Sequence, residues 1–147
     1  VLAYLVAGRA ADAYPENGEI EGVAGARFMG EGSDDCPCVV AGLGDLDLDG
    51  YSDFAVAAAG SNKGGSKTGR MLLFFGRPEG FSGDIAASSA DLIISGLNVS
   101  ESAGWAISGG HDLNGDGFYD FVVGAPYNDD AAYDAGKVYV FFGFDRP

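Results

Sequence analysis

The chain has 147 residues and a mass of 15.0 kDa, enough for an ordinary domain with a sizeable core. Its 47% hydrophobic and 12% aromatic content excludes a disordered chain, despite 25 glycines. The balance of 22 acidic against 8 basic residues gives a formal charge of −14, which argues against nucleic acid and anionic membranes as partners. No apolar run approaches the roughly 18 residues of a spanning helix, so membrane insertion is not expected.

In chain order, "VLAYLVAGRAADA" (1–13) reads either as the end of a signal-peptide apolar region or as a strand. "AYLVAG" (3–8) aligns with "VYVFFG" (138–143) further on, which favours the strand. "ARFMG" (26–30) is a weaker strand candidate. Cys36 and Cys38 are too few for a disulfide framework or a zinc site. In an extended segment both thiols would point to one face and a bridge would be strained, so free or structurally idle thiols are expected, with a local or intermolecular disulfide as the alternative.

The next strand, "CVVAG" (38–42), leads into "GDLDLDGYSDFAV" (44–56). "DFAVAA" (53–58), "GRMLLFFG" (69–76) and "DLIISG" (91–96) follow as strands rich in branched and aromatic residues. Asn98-Val99-Ser100 fits the N-glycosylation acceptor pattern. "WAISG" (105–109), "HDLNGDGFYDFVV" (111–123) and "GKVYVFFG" (136–143) then repeat the scheme. Laying residues 44–76 on 111–143 needs no gap and gives 12 identities in 33 positions, with both ends in register across a variable middle. A period of 67 residues points to stacked or radial supersecondary units. Alternation within the strands is poor, as expected where both sheet faces are covered.

Carboxylates at alternate positions repel one another, so their strict spacing in both loops needs a cause. In D-x-D-x-D-G-x-x-D the side chains at positions 1, 3 and 5 converge where glycine at 6 turns the loop. Position 7 offers a backbone carbonyl and position 9 a further carboxylate, a donor set for a hard cation with 6–8 oxygen ligands. The expected ligands are Asp45, Asp47, Asp49, the Tyr51 carbonyl and Asp53 in the first loop. In the second they are Asp112, Asn114, Asp116, the Phe118 carbonyl and Asp120. An EF-hand would need a glutamate at position 12, where Val56 and Val123 stand, so calcium held between two strands is expected, with two sites per chain. Magnesium fits less well because it demands octahedral geometry and retains its waters.

Calcium loop, "DFVVGAP" (120–126) and "GKVYVFFG" together resemble the FG-GAP repeat of integrin-α-type β-propellers, a likeness covering nearly all of residues 26–143. The resemblance implies an all-β fold of four-stranded antiparallel blades, about two repeats per chain, with each calcium loop joining the first two strands of a blade. It carries over the ten ligand positions and no catalytic residue. Residues 1–35 would end a preceding blade, 36–96 would form a complete one, and 97–147 a second lacking its fourth strand. Departures from the pattern are Ala57-Ala58-Ala59 for Gly-Ala-Pro in the first repeat, Cys36-Pro37 and Ala103-Gly104 for Phe-Gly, and His111 where the first loop has Gly44.

The expected function is an extracellular, calcium-stabilised structural or adhesion module. Propellers use roughly 4–8 blades, so it would be completed by self-association in a ring or strand-exchanged filament, or by other blades of a longer chain, with a protein or glycan as possible ligand. The alternative is a lectin-type propeller using Trp105 and Tyr127 as an aromatic platform, against which stands the ordinary role of a buried strand tryptophan. No enzyme is expected: the one histidine, His111, adjoins a metal-ligand position, and no serine or cysteine sits in a nucleophile motif.

Overall fold

A computed structural model describes residues 2–5 (backbone), 20, 24–32 and 35–146. The signal-peptide reading of residues 1–13 and the end of the 3–8 strand lie outside the described residues in whole or part. Among the described residues the elements are ten strands and a 3-10 turn at Ala87–Ser89. The strands are β1 (Leu2–Leu5), β2 (Ala26–Met29), β3 (Val39–Gly44), β4 (Asp53–Ala58), β5 (Arg70–Phe74), β6 (Gly83–Ala86), β7 (Leu92–Ser95), β8 (Ala106–His111), β9 (Asp120–Ala125) and β10 (Lys137–Phe141). Within the described residues every strand expected from the sequence forms, the ends of those described in full shifted by a few residues.

Three sheets result. The middle sheet, β3-β4-β5-β7, is a four-stranded antiparallel meander, and β8-β9-β10 repeats its first three strands. The first sheet is β1-β2-β6, in which β6 was not foreseen. It leaves the middle sheet's connection between β5 and β7 and pairs in parallel with β2, Phe28 opposite Ile85. Its four residues are a glycine, an aspartate and two small or branched apolar residues, too short to show a period-2 pattern.

The middle sheet buries both faces, which explains its near-continuous apolar strands. Ala55, Ala57, Met71 and Leu73 meet Phe121 and Val123 of the third sheet, with Ile107, Tyr139 and Phe141 packed around them. Val56 and Phe74 point the other way, onto Ala26 and Phe28 of the first sheet. The first strands of successive sheets approach closely because Gly109 has no side chain: a Cβ there would lie 2.8 Å from Leu43 Cδ2. The start of each repeat is pinned in the same manner. The Cys38 N–H donates to the Ala57 carbonyl and the Trp105 N–H to the Gly124 carbonyl, 67 residues on.

Cys36 and Cys38 are joined by a disulfide, correcting the expectation of free thiols. That expectation assumed an extended segment. The Cys38 N–H instead donates to the Cys36 carbonyl at 2.8 Å, a three-residue turn around Pro37 that places the two Cα atoms 5.2 Å apart, within bridging range.

Candidate metal centre

Both acidic loops leave their first strand through the same irregularity. The β3–β4 register shifts between Gly42 and Gly44, and the β8–β9 register between Gly109 and His111. Such a bulge re-aims the chain and needs a residue with positive φ. Gly44 supplies it in the first repeat (φ 76°), while Gly110 supplies it in the second (φ 84°), so histidine is tolerated at 111.

The ninth-position aspartates explain several identities between the repeats. Asp53, 2% exposed, accepts the Leu46 N–H at 2.7 Å on one oxygen and the Gly76 N–H at 2.8 Å on the other. Asp120, 1% exposed, accepts from Leu113 at 2.6 Å and Gly143 at 2.9 Å. Each carboxylate therefore ties the loop to the end of the third strand. The terminal glycine of "FFG" is required because a Cβ would run into the backbone of residues 51–52 or residue 119. Burial pushes the Asp53 carboxyl up to about 6 against the pull of its two N–H donors.

Above these anchors the outer residues converge. In the first loop, Asp45, Asp47 and Asp49 each bring an oxygen within 4.8 Å of the others. Oxygens bound to one hard cation at about 2.3–2.6 Å lie at most roughly 5 Å apart, so a single ion could contact all three carboxylates. Asp45 also accepts the N–H groups of Asp49 and Gly50 (3.0 and 2.9 Å), which fixes it in the turn. Asp47 Oδ2 is buried and receives no hydrogen bond. Its nearest cation is Arg146, whose Nε lies 3.1 Å away as an ion pair and whose Nη2 lies 3.7 Å from Asp49. Burial and the Asp49 charge push the Asp47 carboxyl up, opposed by Arg146. Three converging carboxylates, with Arg146 alone set against the buried Asp47 Oδ2 among the described residues, fit a hard cation.

The second loop has the same path with less charge. Asp112 accepts from Gly115, Asp116 and Gly117 at 2.6–3.2 Å, and these N–H groups, Gly117 first, hold its carboxyl below the usual range. Asn114 donates to Asp116 Oδ2 at 2.7 Å and accepts the Asp116 N–H at 3.1 Å. Thus Asp45, Asp47 and Asp49 are brought together, and Asn114 and Asp116 are in contact, whereas Asp53 and Asp120 turn inward to backbone donors. Tyr51 and Phe118 stand at the expected seventh positions, their N–H groups donating to Asp49 and Asp116.

Two residues were missed by the sequence reading. Arg146 reaches the first loop because the tail beyond β10 crosses back to it, with the Phe144 N–H on the Leu46 carbonyl. Nothing in a lone arginine near the chain end signals this. Glu101, fully buried, accepts from Leu97 (2.7 Å) and Asn98 (3.2 Å) on one oxygen, and from Asn128 (2.6 Å) and Tyr139 (3.0 Å) on the other. It links the end of the middle sheet to the third. Burial pushes its carboxyl up, but these donors outweigh it and hold the group below its ordinary value. The Asn98 side-chain nitrogen, the glycosylation candidate, donates to Asp130 at 3.2 Å. Trp105 is 55% exposed, not buried in a strand, and stands edge-on to Tyr127 with ring centroids 5.7 Å apart. It precedes β8 rather than lying within it, which removes it from the sheet's core face.

Comparison with known proteins agrees with this architecture. The FG-GAP repeat family model matches residues 103–141. Human integrin alpha-IIb is 36% identical over 86 residues, 58% of this chain and 8% of that protein. Mouse integrin alpha-IIb is 34% identical over 102 residues (69% and 9%), and Drosophila melanogaster integrin alpha-PS2 is 33% identical over 103 residues (67% and 6%). The chain thus spans less than a tenth of the length of these relatives. Its antiparallel sheets are blades of β-propeller type, and the chain belongs to the FG-GAP repeat family of integrin-α type.

Proposed function

We propose that each acidic loop holds one calcium ion, and that the chain is a calcium-stapled adhesion or structural module working outside the cell. In this reading residues 36–96 form one complete blade, 97–147 a second without its fourth strand, and 1–35 the end of a preceding one. Asp45, Asp47, Asp49, the Tyr51 carbonyl and Asp53 serve the first ion; Asp112, Asn114, Asp116, the Phe118 carbonyl and Asp120 serve the second. The observation that carries the reading is the convergence of the Asp45, Asp47 and Asp49 carboxylates, of which the buried Asp47 Oδ2 has an ion pair to Arg146 but no hydrogen bond among the described residues. Asp53 and Asp120 act mainly by fixing the loop, since their oxygens already accept backbone N–H groups.

The ion's role is to neutralise the clustered charge and to stabilise the folded loop. Millimolar extracellular calcium fills modest-affinity sites of this kind, which supports the location. The integrin names of the relatives support adhesion and a protein partner, and the role proposed is not enzymatic. Completion of the propeller comes from copies of the chain or from other blades of a longer one. A glycan-binding reading has one observation in its favour, the exposed Trp105–Tyr127 pair.

Thermal unfolding with about 2 mM calcium and with chelator tests the proposal. Calcium is expected to raise Tm by about 5 °C or more, through binding to the folded state alone. Identical melting under both conditions would reject calcium as a structural staple.

A further inference from the structure

The two junctions between sheets are built alike, but only one is filled. At the first, Phe28, Val56, Leu72 and Phe74 line a pocket with about 20 Å³ left open. At the second, the residues in the same places, Ile94, Val123, Tyr139 and Phe141, line a cavity of about 190 Å³. Ile85 of β6 and Ala87 of the 3-10 turn close the first pocket. Phe81, just before β6, also meets the stacked Phe54–Phe74 pair edge-on, at 5.2 and 6.0 Å. The equivalent stack, Phe121–Phe141 (4.7 Å), has no edge-on ring against it among the described residues.

The backbone repeats the difference. β2 carries β6 in parallel along its free edge, Ala26 opposite Gly83 through Met29 opposite Ala86. β7 is the counterpart of β2, and among the described residues its outer edge is unpaired in the sheet order β3-β4-β5-β7. Leu92 and Ile93 on it are each 40% exposed. An open edge beside an apolar cavity is a site for strand addition, in which backbone pairing supplies affinity and the pocket supplies selectivity.

We infer that the β7 edge and the adjoining cavity form a docking site for one extended strand–turn segment of the β6 type. As β6 follows the third strand of the blade packed on the first sheet, the segment follows the third strand of an FG-GAP-type blade packed on the middle sheet, and it carries an aromatic residue followed, four positions on, by a branched apolar residue among small ones. The branched residue sits opposite Ile94 and enters the cavity, as Ile85 does opposite Phe28. The aromatic caps the Phe121–Phe141 stack. One difference sets selectivity. Arg27 on β2 pairs with Asp84 at 2.5 Å, whereas Ile93 takes the place of Arg27 on β7. The docked segment therefore has an apolar residue where β6 has Asp84. The inference rests on the blade reading of the fold and not on calcium.

The probe is a labelled synthetic peptide of residues 80–90, titrated against the full chain in calcium buffer and followed by fluorescence anisotropy. Saturable binding of one peptide per chain is expected. Ile85→Asp in the peptide weakens it about tenfold or more, the loss of one buried branched side chain, and Asp84→Val tightens it. Ala103→Leu in the protein fills the cavity and abolishes binding, with an unchanged melting profile showing that the variant folds. The same peptide joined after Pro147 by a flexible linker removes the entropic handicap of a free peptide, and slows hydrogen exchange of the β7 amides. Binding indifferent to Ile85→Asp, or β7 exchange unchanged by the tethered segment, overturns the inference. So does a dimer by light scattering whose β7 amides are already protected and which excludes the peptide, since a second copy would then be the occupant. Failure here alongside a calcium-dependent Tm sinks the docking site alone.

Discussion

The two acidic loops follow one path and differ in how their charge is balanced. In the second, Asn114 replaces the aspartate found at 47 and its side-chain amide donates to Asp116, so part of the repulsion is compensated within the loop. The first has three converging carboxylates, one oxygen of which has no hydrogen bond, and borrows Arg146 from the chain's tail. A further contrast is the residue between the second and third ligands. Gly115 takes positive φ (80°) in the second loop, while Leu48 is held at φ 56° in the first. The first loop is thus the more strained and more charged of the two, and on the calcium reading it gains more from a cation.

The largest effect separates the anchors from the outer ligands. Asp53→Ala and Asp120→Ala each leave two backbone N–H groups without an acceptor at a buried site, and are expected to cost about 3–4 kcal/mol even in chelator. Chemical denaturation of both variants beside Asp49→Ala checks this. An outer-ligand variant as damaging as the anchors would show that the inward carboxylates do not hold the loops.

Next comes the link between blades. Glu101→Ala strands Asn128, Tyr139 and two backbone donors, and should cost about 3 kcal/mol. The pH dependence follows from the sign of its shift. A carboxyl held below its ordinary value of 4.5 favours the folded state above that pH and loses that contribution as pH falls through its lowered value. Acid unfolding of the native chain should therefore be steeper than that of Glu101→Gln. Parallel curves would remove the charge from the account.

Smallest is the strain at Leu48. Leu48→Gly gives the first loop the residue that the second already has, and should stabilise the protein by about 0.5–1 kcal/mol. A destabilised variant would mean that the exposed Leu48 side chain makes contacts that matter more than its φ.

The strands and the two loops were legible because their causes are local. Aromatic and branched runs make strands, and D-x-D-x-D-G dictates a turn whatever surrounds it. The strict Asp53/Asp120 and Gly76/Gly143 identities were visible, but their reason was not: a carboxylate reaching a glycine N–H 23 residues away is a tertiary fact. The same holds for β6, whose parallel partner lies in another sheet, and for Arg146 and Glu101, each defined by residues brought near only by the fold. The cysteine pair failed for a different reason, since the expectation took Pro37 to lie in an extended segment where the chain turns.

The measurement that tests the central claim most directly is a calcium titration by isothermal calorimetry on the chain, on Asp45→Ala and on Asp112→Ala. The account predicts two saturable sites, the tighter one lost in Asp45→Ala and the weaker one lost in Asp112→Ala. Absence of saturable binding at millimolar calcium, or two sites persisting in either variant, would contradict it.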